Sequence, residues 1–214
     1  MEAYLELALN VAGFAVGLCI GVMSAIGYRN TASPTLLRLS MAFISISVGF
    51  LAVWVGYALE LLPSGPGGPG WWLETLGVGV QTLGYFFIAF SHGLKSFFPK
   101  SRYLRGVGAF PLFLVSTVQL NHILRSVSFI LLVYAAIETI LSYVESRNRG
   151  AVSVAAGLAM LALGEFLGWY SAVFPESLLY PVSLVIKIAG LVALFLPVSR
   201  IPFRRIRFDP GPAG

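Results

Sequence analysis

Long apolar runs alternate along this chain with short clusters of proline, glycine and charge. The runs reach about 20 residues or more, the length an α-helix needs to cross a ~30 Å hydrocarbon core. The breaks between them read YRNTASP, PSGPGGPG, KSFFPKSRYLR, NHILR, ESRNRG and FPES, all built from turn formers or charge. They predict seven helices, near residues 4–27, 35–62, 71–95, 106–121, 124–146, 150–173 and 178–199. The fourth and fifth are crowded, because residues 106–144 must hold two crossings and a turn. The pattern therefore predicts an all-α, polytopic integral membrane protein. Residues 1–199 form one seven-transmembrane-helix bundle, and residues 200–214 a basic cytoplasmic tail.

Composition points the same way. The 214 residues are 57% hydrophobic and 11% charged, against roughly 25% charged in a soluble domain. The first apolar run opens with Glu2 and Glu6 instead of a basic stretch and is too long for a signal peptide, so it is expected to stay as a helix. Charge then sets direction. Arg29, Arg38, Lys95, Lys100, Arg102, Arg105, Arg147, Arg149, Arg200, Arg204, Arg205 and Arg207 make up 12 of the 14 basic residues, and seven crossings put all of them on one face. By the positive-inside rule that face is cytoplasmic, with the N-terminus out and the C-terminus in, in a cell (inner or plasma) membrane. Glu2, Glu6, Glu60, Glu74 and Glu176 fall on or near the outer face, while Trp71, Trp72, Tyr103 and Tyr180 lie at helix ends as interfacial anchors.

The expected partners follow from these features. Lipid surrounds the bundle. The tail, RIPFRRIRFDPGPAG, either holds anionic headgroups, at on the order of 1 kcal/mol per basic residue, or only fixes orientation. Gly13, Gly17 and Gly21 form a four-residue stripe that can seat either another membrane protein's helix or a helix of the same bundle. A basic inner rim is ordinary in membrane proteins, and no nucleic acid is expected.

An internal repeat is also suggested. Tyr28 and Tyr143, Gly49 and Gly164, and Trp54 and Trp169 are each 115 positions apart; Gln81 and Lys187, and Gly84 and Gly190, are 106 apart. Residues 4–95 would then match 124–199 in a 3+1+3 arrangement. An odd connector makes the two triplets parallel, as in some transporters. The identities are few and of common types, so coincidence is the competing reading.

Against this background the polar residues inside the runs stand out. Glu165 on helix 6 and Lys187 on helix 7 both lie roughly 12–14 Å below the outer boundary at 1.5 Å per residue. Gln81 on helix 3 and Trp54 on helix 2 reach a similar depth, Tyr57 sits one turn above, and Asn10 is slightly shallower. A charge at the bilayer centre costs about 2.5–3.5 kcal/mol on insertion scales, which pairing offsets. Glu165 and Lys187 are therefore expected as an ion pair facing the interior, serving either helix register or a solute site capped by Trp169 and Tyr170. Glu138, one to two turns deeper, is a candidate proton-relay partner.

No enzyme chemistry is expected. GxSxG, HExxH and Walker-type loops are missing, and the only aspartate is Asp209 in the tail. His92 and His122 lie nearly a membrane apart, so they cannot share a haem, and the lone Cys19 allows no cysteine metal cluster. No cofactor is implied. A lysine on the last of seven helices resembles the microbial rhodopsins, in which Lys187 would carry a retinal Schiff base. The resemblance stops at helix number, orientation and that one residue. The third helix, WWLETLGVGVQTLGY, lacks their Arg-Tyr-x-x-carboxylate pattern, and Ser183 stands where they have Asp. Two classes remain: a small-solute carrier or permeation protein with a site among Gln81, Glu165 and Lys187, or a non-catalytic membrane subunit or sensor component of a larger complex.

Overall fold

A computed structural model describes residues 2–61, 70–93, 120–146, 149–174 and 178–199. Among them are six helices: α1 (Glu2–Thr31), α2 (Pro34–Glu60), α3 (Gly70–Gly93), α4 (Leu120–Ser146), α5 (Arg149–Val173) and α6 (Leu179–Ser199). All six are long and apolar enough to cross a membrane, which makes this a multi-pass membrane protein, all-helical among the described residues. Most of the predicted fourth helix, 106–121, and the whole Arg-rich tail lie outside the described residues.

The break expected at NHILR is instead helix, since α4 already begins at Leu120. That stretch has no proline or glycine, and Arg125 Nε donates to Asn121 Oδ1 at 3.3 Å, a pairing that helical i,i+4 spacing brings together. The neighbours α3 and α4 run parallel: Asn121 Nδ2 donates to Glu74 Oε1 at 3.3 Å, and the Thr82 and Ser128 hydroxyls meet at 2.9 Å farther along both helices. Gly93 and Leu120 consequently lie at opposite ends of the bundle. At the first corner Ala32 takes a left-handed conformation (φ 51°) and donates its N–H to Tyr28 O at 2.7 Å, and Pro34 then opens α2.

The helices pack in chain order around a ring that α6 closes against α1. The distribution is inverted relative to a soluble protein. Leu18, Val22, Leu83, Phe86 and Val185 face outward, while Gln81, Arg125, Ser183, Glu165 and Lys187 are buried. Where hydrocarbon is the solvent, apolar side chains lose nothing by exposure and polar ones must find partners inside.

Glycines let these helices approach closely. The Gly13, Gly17 and Gly21 stripe lies on α2, with Phe50, Ser47 and Ile44 as the respective neighbours. This closes the face considered for a foreign helix. Ser47 Oγ donates to Phe14 O at 2.6 Å and Ser40 Oγ to Gly21 O at 3.0 Å, bonds that require this close approach.

Two further seams match in detail. On α2, a Cβ at Gly49 would fall 2.6 Å from Gly77 O and 2.5 Å from Gln81 Cγ of α3; on α5, a Cβ at Gly164 would fall 3.0 Å from Ser183 O and 2.5 Å from Lys187 Cγ of α6. One level deeper, a Cβ at Gly84 would fall 2.7 Å from Ala42 O and one at Gly190 would fall 2.9 Å from Gly157 O. These contacts of the first pair of helices fall at the 115- and 106-residue spacings from those of the second. Farther toward the Gly93 end, Ile88, Leu132, Ala135, Leu158, Leu161 and Leu191 belong to one apolar core.

Candidate functional site

Glu165 is placed by the run Gly164–Glu165–Phe166–Leu167–Gly168 on α5. Each glycine opens a slot beside the carboxylate. A Cβ at Gly164 would crowd Lys187 of α6, and one at Gly168 would collide with Arg125 Nη1 of α4. The backbone thereby admits a cation on each side of a single anion.

The resulting cluster runs inward from the α3 terminus. Glu74, in the first turns of α3 and with 26% of its side chain exposed, has Oε1 3.7 Å from Arg125 Nη2. Arg125 Nη1 lies 3.9 Å from Glu165 Oε2, and Lys187 Nζ lies 2.7 Å from Glu165 Oε1. Tyr85 of α3 donates its hydroxyl to the same Oε1 at 3.0 Å. The Tyr180 ring faces the Arg125 guanidinium with 5.7 Å from Cζ to centroid, and Tyr57 of α2 packs on Tyr180 at 6.1 Å. The Arg125, Glu165 and Lys187 side chains are only 4%, 1% and 3% exposed.

Charges that deep are weakly screened, so removing one partner leaves the others uncompensated. The Lys187–Glu165 contact is short and fully engaged. The Arg125–Glu165 contact is longer than a hydrogen bond, and among the described residues neither Arg125 Nη1 nor Glu165 Oε2 has a hydrogen-bond partner. A buried donor and acceptor thus face each other unsatisfied, a state that native interiors rarely tolerate. Chemically, the cluster can hold a small polar species between guanidinium and carboxylate, or exchange ion-pair partners.

Glu165 and Lys187 are in contact, as their matching depths anticipate. Tyr57 reaches the cluster through Tyr180. Gln81 is buried on the α2–α3 seam against Gly49. Asn10 is fully buried on α1, donating Nδ2 to Glu6 O at 2.8 Å, with Oδ1 unpartnered among the described residues. Trp54 lines an apolar groove of about 280 Å³ with Val11, Phe14 and Leu51, away from the charges.

Trp169 and Tyr170, expected as a cap, make their ring contacts with neighbours on α5 and at its end. Trp169 stacks on Phe166 at 6.1 Å, and the exposed Tyr170 pairs with Phe174 at 4.7 Å, because aromatic edges and faces attract one another on that flank. Glu138 lies thirteen residues beyond Arg125 on α4, roughly 20 Å of helical rise, and the buried Leu132, Ala135 and Ala136 intervene. No polar contact links it to Glu165 among the described residues.

Arg125, Glu74, Tyr85 and Asn121 complete the cluster without having been singled out by depth. NHILR reads as a turn, which leaves Arg125 on no face; the usable signal was its i,i+4 spacing from Asn121 in a stretch free of proline and glycine. Tyr85 follows Gln81 by one turn, and Tyr180 reads as an interfacial anchor until Arg125 is placed beside it. No protein-family model, curated protein or solved structure matches the chain.

Proposed function

We propose that the chain is a small-solute carrier or permeation protein of the cell membrane whose binding locus is the Arg125–Glu165–Lys187 cluster. With the N-terminus outside, as the basic clusters imply, this locus opens toward the exterior half of the bundle past Glu74. The observation that carries the reading is the unsatisfied pair, Arg125 Nη1 and Glu165 Oε2, buried 3.9 Å apart. A cluster built only to fix helix register would close that gap.

A comparison of positions at the 115- and 106-residue spacings supports the same reading. Residues 115 before Arg125 and Glu165 are Asn10 and Phe50, and the residue 106 before Lys187 is Gln81. The α2–α3 seam packs around Gly49 with no ion pair at this level among the described residues, so the packing itself does not require charges. Replacing buried ion pairs by apolar groups is often neutral or stabilising. Charges kept at a position where neutral residues suffice are best explained by a ligand.

The test is uptake of a broad solute panel by proteoliposomes containing the full chain, with the neutralised pair Glu165→Gln/Lys187→Met as the control. Uptake by the wild type that the double variant lacks is the expected result; uptake unchanged in the double variant overturns the locus. A second reading, a non-catalytic subunit of a larger membrane assembly, draws on the groove of Val11, Phe14, Leu51 and Trp54 on the lipid side. It predicts a partner of fixed stoichiometry after purification in mild detergent.

A further inference from the structure

We infer that the ligand of this cluster is a small zwitterion of the α-amino-acid type, its anionic end taken by Arg125 and its cationic end by Glu165. The inference rests on the carrier reading and adds the substrate class. Three observations converge on it.

The first is charge balance. Glu74 and Glu165 face Arg125 and Lys187, two anions against two cations in one connected cluster. An anion or a cation entering alone would leave an uncompensated charge in a medium that solvates it poorly. A zwitterion leaves the sum unchanged.

The second is the chemistry of the open valences. Arg125 Nη1 can only donate, and Glu165 Oε2, as a carboxylate oxygen, accepts. The ligand must therefore present an acceptor and a donor side by side, as adjacent carboxylate and ammonium groups do. Binding separates the guanidinium from the carboxylate and inserts one ligand charge against each. Lys187 stays on Oε1, where Tyr85 also donates, and holds that carboxylate in its orientation.

The third is the rim. The Tyr180 and Tyr57 rings border the guanidinium side, giving an apolar, weakly polar-tipped surface for the remainder of the ligand. Glu74, the most exposed of the four charges, holds Nη2 of Arg125 and leaves Nη1 toward the gap.

The experiment uses the full chain in detergent and follows its melting temperature. Three additions are compared at equal concentration: a mixture of neutral α-amino acids, the matching simple carboxylates, and the matching simple amines. The expected result is a rise of the midpoint with the amino acids and with neither set of halves, because anything that binds only the folded state stabilises it by mass action. The rise should vanish in Glu165→Gln/Lys187→Gln and in Glu74→Gln/Arg125→Gln, pairs that keep the cluster neutral and therefore foldable. It should persist in Asn10→Ala, which alters the matching position of the other half. A rise with carboxylates alone or amines alone, lost in the same variants, overturns the zwitterion while leaving the locus intact. No rise with any addition also overturns it. If, in addition, solute uptake is indifferent to Glu165→Gln/Lys187→Gln, the carrier reading falls with it.

Discussion

The two halves of this bundle, α1–α3 and α4–α6, solve one packing problem with different chemistry. Both bring their second and third helices together through a glycine, Gly49 in the first half and Gly164 in the second, seated against the carbonyl and side chain of corresponding residues. At the level where the second half holds Arg125, Glu165 and Lys187, the first holds Asn10, Phe50 and Gln81. Backbone contact in lipid is thus governed by small residues, and what lies just beside them is free to vary. The difference separates what makes the helices associate from what gives one side of the ring its charge.

Breaking one partner of the ion pair gives the largest contrast. Lys187→Met leaves Glu165 buried beside a guanidinium 3.9 Å away and should cost about 3–5 kcal/mol. Gln81→Met in the first half should cost only about 1 kcal/mol. Unfolding in mixed micelles measures both, and equal losses would erase the distinction between the halves. Adding Glu165→Gln to Lys187→Met should recover part of the loss, with a coupling of about 0.5–3 kcal/mol.

The seams should respond alike. Gly49→Ala and Gly164→Ala each force a Cβ to within 2.5 Å of a neighbouring side chain and should each cost about 1–3 kcal/mol. A large loss in one half with none in the other would show that the matching contacts do unequal work. The outer flanks sharpen the comparison from the other direction. The residues 115 positions after Val11, Phe14, Leu51 and Trp54 of the groove are Ser126, Phe129, Phe166 and Trp169, where the Phe166 ring meets Phe129, tilted, at 5.7 Å and stacks on Trp169 at 6.1 Å. Leu51→Phe should therefore fill the groove and raise stability by about 0.5–1 kcal/mol, read as a higher melting temperature. The smallest effect is expected at the α1–α2 corner, where Ala32→Gly removes left-handed strain at φ 51° but loosens the unfolded chain. The net gain should be about 0.5 kcal/mol by the same measurement.

Much of this was readable from one dimension because hydrocarbon imposes simple rules. Six of the predicted helices correspond to α1–α6 within a few residues at most ends, since proline, glycine and charge cannot easily continue into an apolar core. The NHILR stretch misled because charge density there resembles a loop, although its i,i+4 pairing is helical. Glu165 and Lys187 could be matched by depth, a quantity that counting residues provides. Gln81, Trp54 and Tyr170 share or border that depth, but azimuth around each helix decides whether a side chain reaches the cluster, and azimuth depends on neighbours.

The order of polar and apolar positions alone determined that this chain is built of long, membrane-length helices, and that Glu165 and Lys187 share one level. Only the assembled bundle decided that Arg125 joins Glu165 and Lys187, that the α1 glycines turn inward to α2, and that Trp169 turns aside to Phe166. The reason is that burial depth is additive along a helix, whereas contact requires two helices to choose a common face. That choice is made by which glycines and side chains fit across the gap, not by either segment alone.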